Sequence, residues 1–344
     1  MKTTTIAVDV AKLVFEVAVS DTPGQVHERH RLSRARFQRL LAERPPATVL
    51  MEACGSAHHW ARTAQAHGHR VVLVPPHVVR PYAPRNKTDR IDTKGLLEAF
   101  RNEDVRPVPV KSVSQQALVA LHRLRTTWLA TRTARLNTVR GLLREFGVLI
   151  PTGAHHVVPH VQMLLGDADS ALPGLLRPAL ADAAQEIREI ETRIRAVDRQ
   201  LEQLAREHLV ATQLQTIPGI GVLTATALVA TVGDVARFAS GRHFASYLGL
   251  TPREHSSALR RRLGAISKRG DPYLRMLLIH GARSVLSHAK LKTAPPLDRL
   301  RTWALQLERR RGPNRAAVAL ANKLARMVWA VWRHDTAYVG TSVV

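Results

Sequence analysis

The chain has 344 residues, and its 51 Lys and Arg against 27 Asp and Glu give a formal net charge of +24. Its length suffices for two or three domains with a large core. No apolar run approaches the roughly 18 residues of a membrane span, and the N-terminus lacks a signal-peptide pattern, so we expect a cytoplasmic protein with no membrane partner. Cys54 is the only cysteine, which excludes an intrachain disulfide and a cysteine-based zinc site.

The excess positive charge attracts polyanions, and we expect nucleic acid because no amphipathic lipid anchor stands out. Arginine dominates the basic residues, and its guanidinium fork fits phosphate groups well. A well-solvated basic surface without a polyanionic partner is the alternative.

The first 110 residues predict strands followed by alternating helices and strands. Residues 3–19 alternate and are rich in β-branched side chains, which predicts two strands with a tight turn near Ala11 and Lys12. This order predicts a mixed sheet surrounded by helices. The further predicted elements are a helix at 33–44, a strand at 47–53, a helix at 56–68 and a strand at 69–76.

Helical patterns dominate the remainder of the chain. A long helical stretch at 113–147 has apolar residues along one broad side with arginines interleaved, whereas 151–180 has scattered Pro and Gly and predicts a connection. Six apolar residues between Ile187 and Leu204 follow a 3-4-3-4-3 spacing, which predicts an antiparallel helical hairpin or short coiled coil. That seam could close a bundle within one chain or join two chains. The interleaved arginines are Arg123, Arg125, Arg132, Arg135, Arg140 and Arg144.

The segment "IPGIG", residues 217–221, separates two apolar helical patterns. It resembles a helix–hairpin–helix turn, whose backbone N–H groups can face a phosphate, but a close packing turn explains it equally well. Ala- and Arg-rich helices near 296–311 and 313–333 close the chain. The predicted domains are 1–110, 111–210, 211–295 and 296–344.

Four carboxylates occupy conspicuous positions in the predicted elements. Asp9 lies inside the first strand and Glu52 ends the strand at 47–53, where an unpaired charge is costly. Asp89 and Asp92 stand three apart in "NKTDRIDTKGL", where a loop enters a helix, so both share one side. Oxygen donors of this kind suit Mg²⁺, with Mn²⁺ as the alternative, and paired ions clamp the oxygens of phosphoryl transfer.

Each acid also has a structural explanation. Asp9 could accept backbone hydrogen bonds, Glu52 could pair with an arginine, and Asp89 or Asp92 could cap the helix. Together these explanations require four coincidences, so we favour the metal site.

The order strand-Asp, strand-end Glu and "KTDRID" opening a helix resembles the DEDD, RuvC-like (RNase H-like) domain of a bacterial insertion-sequence transposase family. The segment "YLGLTPREHSSALRRRLGAISKRGDPYLRMLLIHGA" (247–282) is similar to that family's second signature. The resemblance covers nearly the whole chain. It implies an α/β RuvC-like N-terminal domain, an α-helical hairpin or coiled coil, and a mostly α-helical C-terminal domain. It also implies that Asp9, Glu52, Asp89 and Asp92 bind the metal.

The residues of "PREHSSALRRRLG" alone indicate only a polar loop in which serines serve as turn or cap residues beside arginines. The family resemblance implies instead a nucleophilic serine that forms a covalent phosphoserine with DNA. In the family that serine precedes a glycine. Ala258 stands at this position here, so Ser257 is the expected nucleophile, with Ser256 and then Ser267 as alternatives.

Family members are described as bridge-RNA-guided recombinases. The resemblance therefore implies site-specific DNA cleavage and strand exchange at element ends and target, a structured noncoding guide RNA, a dimer or tetramer, and a nucleoid-associated location in bacteria. A RuvC-like metal-dependent structure-specific endonuclease that uses only the acids and water is the alternative enzyme. A non-catalytic nucleic-acid-binding protein on a decayed nuclease fold is the alternative from another class.

Overall fold

A computed structural model describes residues 4–22, 25–82, 88–103, 105–170, 172–257, 260–291 and 298–340. Contacts divide the chain into two compact units, Met1–Val113 and Ser114–Val344. No helix among the described residues is both long and apolar enough to cross a membrane.

The described part of the first unit is built on a five-stranded sheet with the strand order β3-β2-β1-β4-β5. The strands β1 and β2 form an antiparallel hairpin and β3 extends it, whereas β1, β4 and β5 run parallel to one another. The mixed sheet expected from the sequence is therefore present. Its strands are β1 (Thr5–Asp9), β2 (Val14–Ser20), β3 (Glu28–Ser33), β4 (Thr48–Glu52) and β5 (Arg70–Val74).

Helices cover both faces of this sheet, because alternate strand residues point to opposite faces and both sets are apolar. Ile6 and Val8 of β1 face α1 and α2, where Phe15, Phe37 and Trp60 meet edge to face with ring centroids 5.0–5.1 Å apart. The opposite set packs against α4. The helices of this unit are α1 (Arg34–Glu43), α2 (Ala57–Ala66), α3 (Pro76–Val79) and α4 (Asp89–Phe100).

The second unit begins with an antiparallel helical hairpin formed by α5 (Val113–Glu145) and α7 (Arg177–Glu207), with α6 (Val157–Gly166) between them in the chain. Ion pairs between α5 and α7 join residues whose numbers rise along one helix and fall along the other. The segment 151–180 is therefore more than a connection, because α6 packs its Val157 and Val161 into a shared core with α5 and α7.

The predicted seam of α7 is buried from Ile187 to Leu201, whereas Leu204 is 39% exposed. Ile187 lies in the core shared with α5 and α6, and α7 also packs against a later helix, α9 (Val222–Val232). These contacts within the chain describe a helical bundle, and a coiled coil is not confirmed.

The rest of the second unit is a helical core around α13, which packs against α10, α11 and α12 and buries Leu320, Leu324 and Val328. A short antiparallel hairpin, β6–β7, interrupts the helices and was not predicted from the sequence. The elements are α8 (Leu209–Leu214), α9 (Val222–Val232), α10 (Gly241–Tyr247), β6 (Pro252–Glu254), β7 (Leu263–Ile266), α11 (Pro272–Ala289), α12 (Arg299–Arg311) and α13 (Pro313–His334).

A buried histidine fastens α5 to this core. The two ring nitrogens of His122 lie 3.0 Å from the hydroxyls of Tyr273 on α11 and Thr226 on α9. Burial, followed by the charge of Arg125, lowers the pKa of His122 to about 4. The ring is therefore neutral at physiological pH, and its hydrogen bonds connect three helices, α5, α9 and α11.

Candidate active site: strand-end carboxylates and a serine hairpin

Asp9 and Glu52 lie at the ends of neighbouring parallel strands. Val8 of β1 is paired in register with Met51 of β4, so Asp9 and Glu52 follow side by side at the carboxyl edge of the sheet. The two residues also share a sheet face, because Ala7 and Leu50, two positions earlier, both pack in the core against α4. The structure thus brings these two predicted ligands together on the side covered by α4.

The thiol of Cys54 lies near the same two carboxylates. Burial raises its pKa, and the nearby charges of Glu52 and Asp9 raise it further. One thiol therefore lies within electrostatic reach of both carboxylates. Cys54 is exposed as a whole residue, but its Sγ is partly buried and lies 4.0 Å from the Val10 carbonyl oxygen.

A further acid, Glu16, was missed at the sequence level. It is the register partner of Asp9 across the β1–β2 hairpin, so the two side chains stand on the same face of the sheet. Like charges directly opposite one another are destabilising in a sheet unless something offsets them. The predicted tight turn at Ala11 and Lys12 would have paired Asp9 with Val14, whereas residues 10–13 connect the two strands, so the sequence did not identify Glu16.

Asp89 and Asp92 lie in the first turn of α4, as the sequence predicted. Thr88 occupies the N-cap position, so neither aspartate is the capping residue. Within the described ranges, Glu52, Asp89 and Asp92 have no ion-pair partner within 4 Å. Acids in a first turn still interact favourably with the helix dipole. Asn86 and Lys87 of the predicted motif lie outside the described residues.

An arginine of the edge strand fixes the start of α4 over the sheet. The Arg29 guanidinium on β3 donates to the Arg90 carbonyl and to the Thr93 hydroxyl, each at 3.4 Å. Thr93 is fully buried. The first turn of α4 is therefore held on the sheet face from which Asp9 and Glu52 project.

The four predicted ligands do not form a complete cluster. Among the described residues, no group of three or more His, Cys, Asp or Glu side chains is close enough to hold one metal ion. The chemistry of the donor set nevertheless fits a divalent metal, because carboxylate oxygens are the ligands that hard cations prefer. Joint metal binding by Asp9, Glu52, Asp89 and Asp92 stays a prediction.

Ser257 lies at the tip of the β6–β7 hairpin, which we call the serine hairpin (residues 252–266). Its backbone N–H donates to the Arg260 carbonyl at 3.3 Å, and the Arg260 N–H donates back to the Ser257 carbonyl at 3.0 Å. This pairing leaves Ala258 and Leu259, which lie outside the described residues, between the two partners. Ser257 is exposed, and exposed arginines surround it in the sequence at 253, 260, 261 and 262.

Ser256 takes part in holding the hairpin together. Its Oγ donates to Oε1 of Glu254 at 2.7 Å and accepts from the backbone N–H of Arg262 at 3.1 Å. Ser267 lies at the base of the hairpin, where its N–H bonds to the Thr251 carbonyl at 2.8 Å. Of the three candidate serines, Ser257 is the one at the exposed tip.

Glycines within residues 247–282 allow the two ends of the serine hairpin to pack closely against the helical core. Gly249 has a φ of +71°, and a Cβ there would lie 2.8 Å from the backbone nitrogens of Arg269 and Gly270. The Arg275 guanidinium donates to the carbonyls of Leu248 and Gly270 at 3.2 and 3.1 Å. These contacts fix both ends of the hairpin to the start of α11, so Gly249, Gly270 and Arg275 have a structural role in this segment.

The turn "IPGIG", which connects α8 and α9, packs closely against α11. Gly219 has a φ of +84°, and a Cβ there would lie 2.8 Å from the Gly281 carbonyl oxygen on α11. The packing explanation is therefore confirmed for Gly219. Phosphate contact stays a prediction for Gly221, around which no atom lies within 4 Å of an added Cβ.

Most of the interleaved arginines of α5 form ion pairs or hydrogen bonds with other residues of the chain. Arg125, Arg132 and Arg135 pair with acids of α7 at 2.5, 3.6 and 2.8 Å. Arg140 donates to the carbonyls of Pro151 and Gly153 at 2.8 and 2.6 Å. The acidic partners are Asp198, Glu191 and Glu186 in that order. Four of the six interleaved arginines therefore have partners within the second unit.

Family models match both regions that carry the candidate residues. A model described as a transposase, of the DEDD type, matches residues 6–148. A second model, described as the transposase IS116/IS110/IS902 family, matches residues 211–295.

Curated relatives match over nearly their full length. A probable family 20 transposase of Pseudomonas aeruginosa is 41% identical over 98% of this chain and 99% of the relative. The transposase for insertion sequence element IS1111A of Coxiella burnetii is 38% identical over 97% of this chain and 90% of the relative. The transposase for insertion sequence element IS1328 of Yersinia enterocolitica is 34% identical over 97% of this chain and 98% of the relative.

Proposed function

The chain belongs to the IS116/IS110/IS902 family of insertion-sequence transposases, and from this premise we propose that it cuts and joins DNA through a divalent-metal site and a serine nucleophile. Membership of the family makes it an enzyme that acts on DNA, with a DEDD nuclease-like domain of the kind that uses divalent metal ions. The observation that carries the metal part is the convergence of Asp9 and Glu52 at adjacent strand ends beneath α4.

In this proposal the oxygens of Asp9, Glu52, Asp89 and Asp92 hold Mg²⁺, with Mn²⁺ as a substitute. A bound ion would reduce the negative charge of the scissile phosphate and stabilise the charge that develops on it. Without the ion, repulsion among the carboxylates opposes their convergence, because like charges in close proximity are costly. Asp89 and Asp92 would supply their oxygens to the ion from the first turn of α4.

Ser257 supplies the nucleophile for the covalent step. Its Oγ attacks phosphorus, a phosphoserine ester forms, and the bond from phosphorus to one deoxyribose oxygen breaks. The leaving oxygen accepts a proton, while the hydroxyl proton of Ser257 passes to solvent. The exposed arginines of the serine hairpin stabilise the phosphate charge during this exchange.

Ser256 and Ser257 are both exposed, but the Ser256 hydroxyl bonds to Glu254 and to the Arg262 backbone within the hairpin, which favours Ser257 as the nucleophile. A serine that donates to a carboxylate also has the geometry of a nucleophile with its general base. The pair formed by Ser256 and Glu254 is therefore the second arrangement that the hairpin offers.

The protein finds its sites with a structured noncoding RNA and works as a dimer or tetramer on element ends and target. The net charge of +24 supports an affinity for such polyanions. Base pairing by a guide RNA removes the need for arginines that read bases, as in other RNA-guided systems.

Covalent capture of DNA tests this proposal. Purified protein, RNA transcribed from the DNA flanking its reading frame, Mg²⁺ and labelled element-end DNA are combined, and the protein–DNA adduct is measured on a denaturing gel. Ser257→Ala abolishes the adduct, whereas Ser256→Ala retains it. Cleavage that persists without an adduct in Ser257→Ala would instead indicate a metal-dependent nuclease that uses water.

A further inference from the structure

A groove runs between the serine hairpin and helices α12 and α13. One wall is formed by Leu263, Ala265 and Ile266 of β7, and the other by Val318 and Ala319 of α13. Its volume is about 930 Å³, near the upper limit of ordinary ligand pockets. Leu263 is 50% exposed, so the groove presents apolar surface to solvent beside the hairpin that carries Ser257.

Three cations line the groove, namely Arg315, Lys323 and Arg326, and no carboxylate lies among its described lining residues. An aromatic side chain, Trp303 of α12, completes the lining, with the Lys323 ammonium 4.7 Å from the centre of its ring. The Asn322 amide donates to the Leu250 carbonyl at 3.2 Å and so ties α13 to the chain that enters the hairpin. The groove combines an apolar and aromatic interior with positive charge, which complements an anionic partner that carries apolar groups.

We propose that this groove binds an unpaired stretch of the DNA strand that Ser257 attacks. Unpaired nucleotides combine flat apolar base faces with anionic phosphates, and proteins bind them with aromatic side chains beside cationic groups. A duplex hides its base faces and presents sugar and phosphate, so an apolar groove favours a separated strand. Since β7 of the serine hairpin is one of its walls, a strand in the groove lies along the hairpin that carries Ser257.

This inference rests on the proposed function for the identity of the strand. The groove would guide the strand to the serine hairpin and hold its bases apart from the complementary strand during exchange. Arg315, Lys323 and Arg326 bind phosphates, while Trp303 and the apolar walls accept bases. This role requires no sequence preference, because stacking and phosphate contacts tolerate every base.

Photo-cross-linking locates the bound strand without altering the protein. The full-length chain is irradiated with single-stranded DNA of about 12 nucleotides that contains 5-iodouracil, a length within the site sizes of known single-strand binders. Cross-links are mapped by mass spectrometry. The expected result is modification of the peptide that contains Trp303, and cross-links confined to other parts of the chain would overturn the proposal.

Charge-matched variants test the phosphate contacts. The groove variant Arg315→Gln/Lys323→Gln/Arg326→Gln is compared with Arg309→Gln/Arg310→Gln/Arg311→Gln, which removes the same charge from the exposed last turn of α12. Each lost phosphate contact to a single strand lowers the slope of log affinity against log salt by about 0.7, so the groove variant loses about 2 from its slope. We expect its affinity to fall at least tenfold below that of the control variant, and a smaller difference would contradict the proposal.

Further measurements distinguish a failure of the groove proposal from a failure of the proposed function. Single-stranded RNA of the same sequence is tested in parallel, and preferential cross-linking of RNA at Trp303 would overturn the assignment to DNA. Adduct formation by the unaltered protein is measured on the same preparations. An adduct without cross-links in the groove overturns the groove alone, whereas cross-links in the groove without an adduct overturn the serine chemistry and leave the groove as a binding surface.

Discussion

Asp9 and Glu52 end two parallel strands that are hydrogen-bonded neighbours, and both project on the face of the sheet that α4 covers. The two acids are 43 positions apart in the sequence, yet strand register alone makes them adjacent. This relationship supports the first two ligands of the proposed metal site. It also predicts how the protein responds to metal ions.

Mg²⁺ should stabilise the folded protein, because an ion that binds the native carboxylates but not the unfolded chain stabilises by mass action. At one hundred times the dissociation constant the gain in unfolding free energy is about 2.7 kcal/mol. Thermal unfolding followed by circular dichroism, with and without Mg²⁺, measures it. The variant Asp9→Asn/Glu52→Gln should lose the response.

The matched control for this experiment is Asp21→Asn/Glu43→Gln, which removes the same charge from two exposed positions of the first unit. This control should retain the shift in melting temperature on addition of Mg²⁺. Equal shifts in both variants would mean that the ion binds away from Asp9 and Glu52.

Gly219→Ala should destabilise the second unit strongly. The new Cβ would lie 2.8 Å from the Gly281 carbonyl oxygen, and the φ of +84° disfavours any L-residue. We expect a loss of about 3 kcal/mol in the free energy of unfolding, the usual scale for overpacking with backbone strain. Urea unfolding measures it.

The neighbouring Gly221→Ala is its control, because the φ there is −93° and no atom lies within 4 Å of an added Cβ. Loss of a glycine N-cap costs about 1 kcal/mol or less. Similar destabilisation by both substitutions would contradict the packing role assigned to Gly219.

His122 predicts a decrease in stability on acidification. Its pKa is lowered from 6.5 to about 4 in the folded protein, so the unfolded chain binds the proton more readily between these values. The stabilisation is complete above pH 6.5 and is lost as the pH falls toward 4. Between pH 7 and pH 5 this one group should remove about 2 kcal/mol from the free energy of unfolding.

Urea unfolding of the native protein and of His122→Gln at both pH values isolates this contribution from the other histidines. The variant should be less stable at pH 7 and should lose about 2 kcal/mol less on acidification. If the two proteins lost equal stability, His122 would not be a buried neutral residue that connects the three helices.

The ion pairs between α5 and α7 should differ in strength according to their exposure. The Arg125 side chain is 16% exposed and bonds to Asp198 through two nitrogens, whereas the Arg135 side chain is 48% exposed. Arg125→Ala should cost about 2 kcal/mol of unfolding free energy and Arg135→Ala less than about 1 kcal/mol. Chemical denaturation of both variants would reveal a reversed order, which would refute this ranking.

The strands that alternate between apolar and polar residues could be predicted from the sequence, because alternation directly reports a buried face. Strand β3, "ERHRLS", was not predicted because it contains a single apolar residue and lies at the edge of the sheet. Helix α6 was not predicted because the Pro and Gly residues around it are typical of a connecting segment, although its Val157 and Val161 are buried. The serine hairpin was not predicted because its strands have only three and four residues and its ends are held by contacts with Gly249, Gly270 and Arg275.

For the candidate site, the sequence identified the acids by the cost of charge in a buried strand, and the structure confirms that Asp9 and Glu52 are neighbours. Glu16 was missed because its position depends on hairpin register. The ion pairs of the α5 arginines could not be predicted because their acidic partners lie about 50 to 70 residues away, a distance that local pattern does not span.

The most direct test of the account is a crystal structure of the protein grown with Mn²⁺, in which anomalous scattering locates the ion. The account predicts an ion bound by carboxylate oxygens of Asp9 and Glu52 together with Asp89 or Asp92, at about 2.0–2.6 Å. An ion that is bound elsewhere, or strand-end carboxylates that stay without one at saturating Mn²⁺, would contradict it.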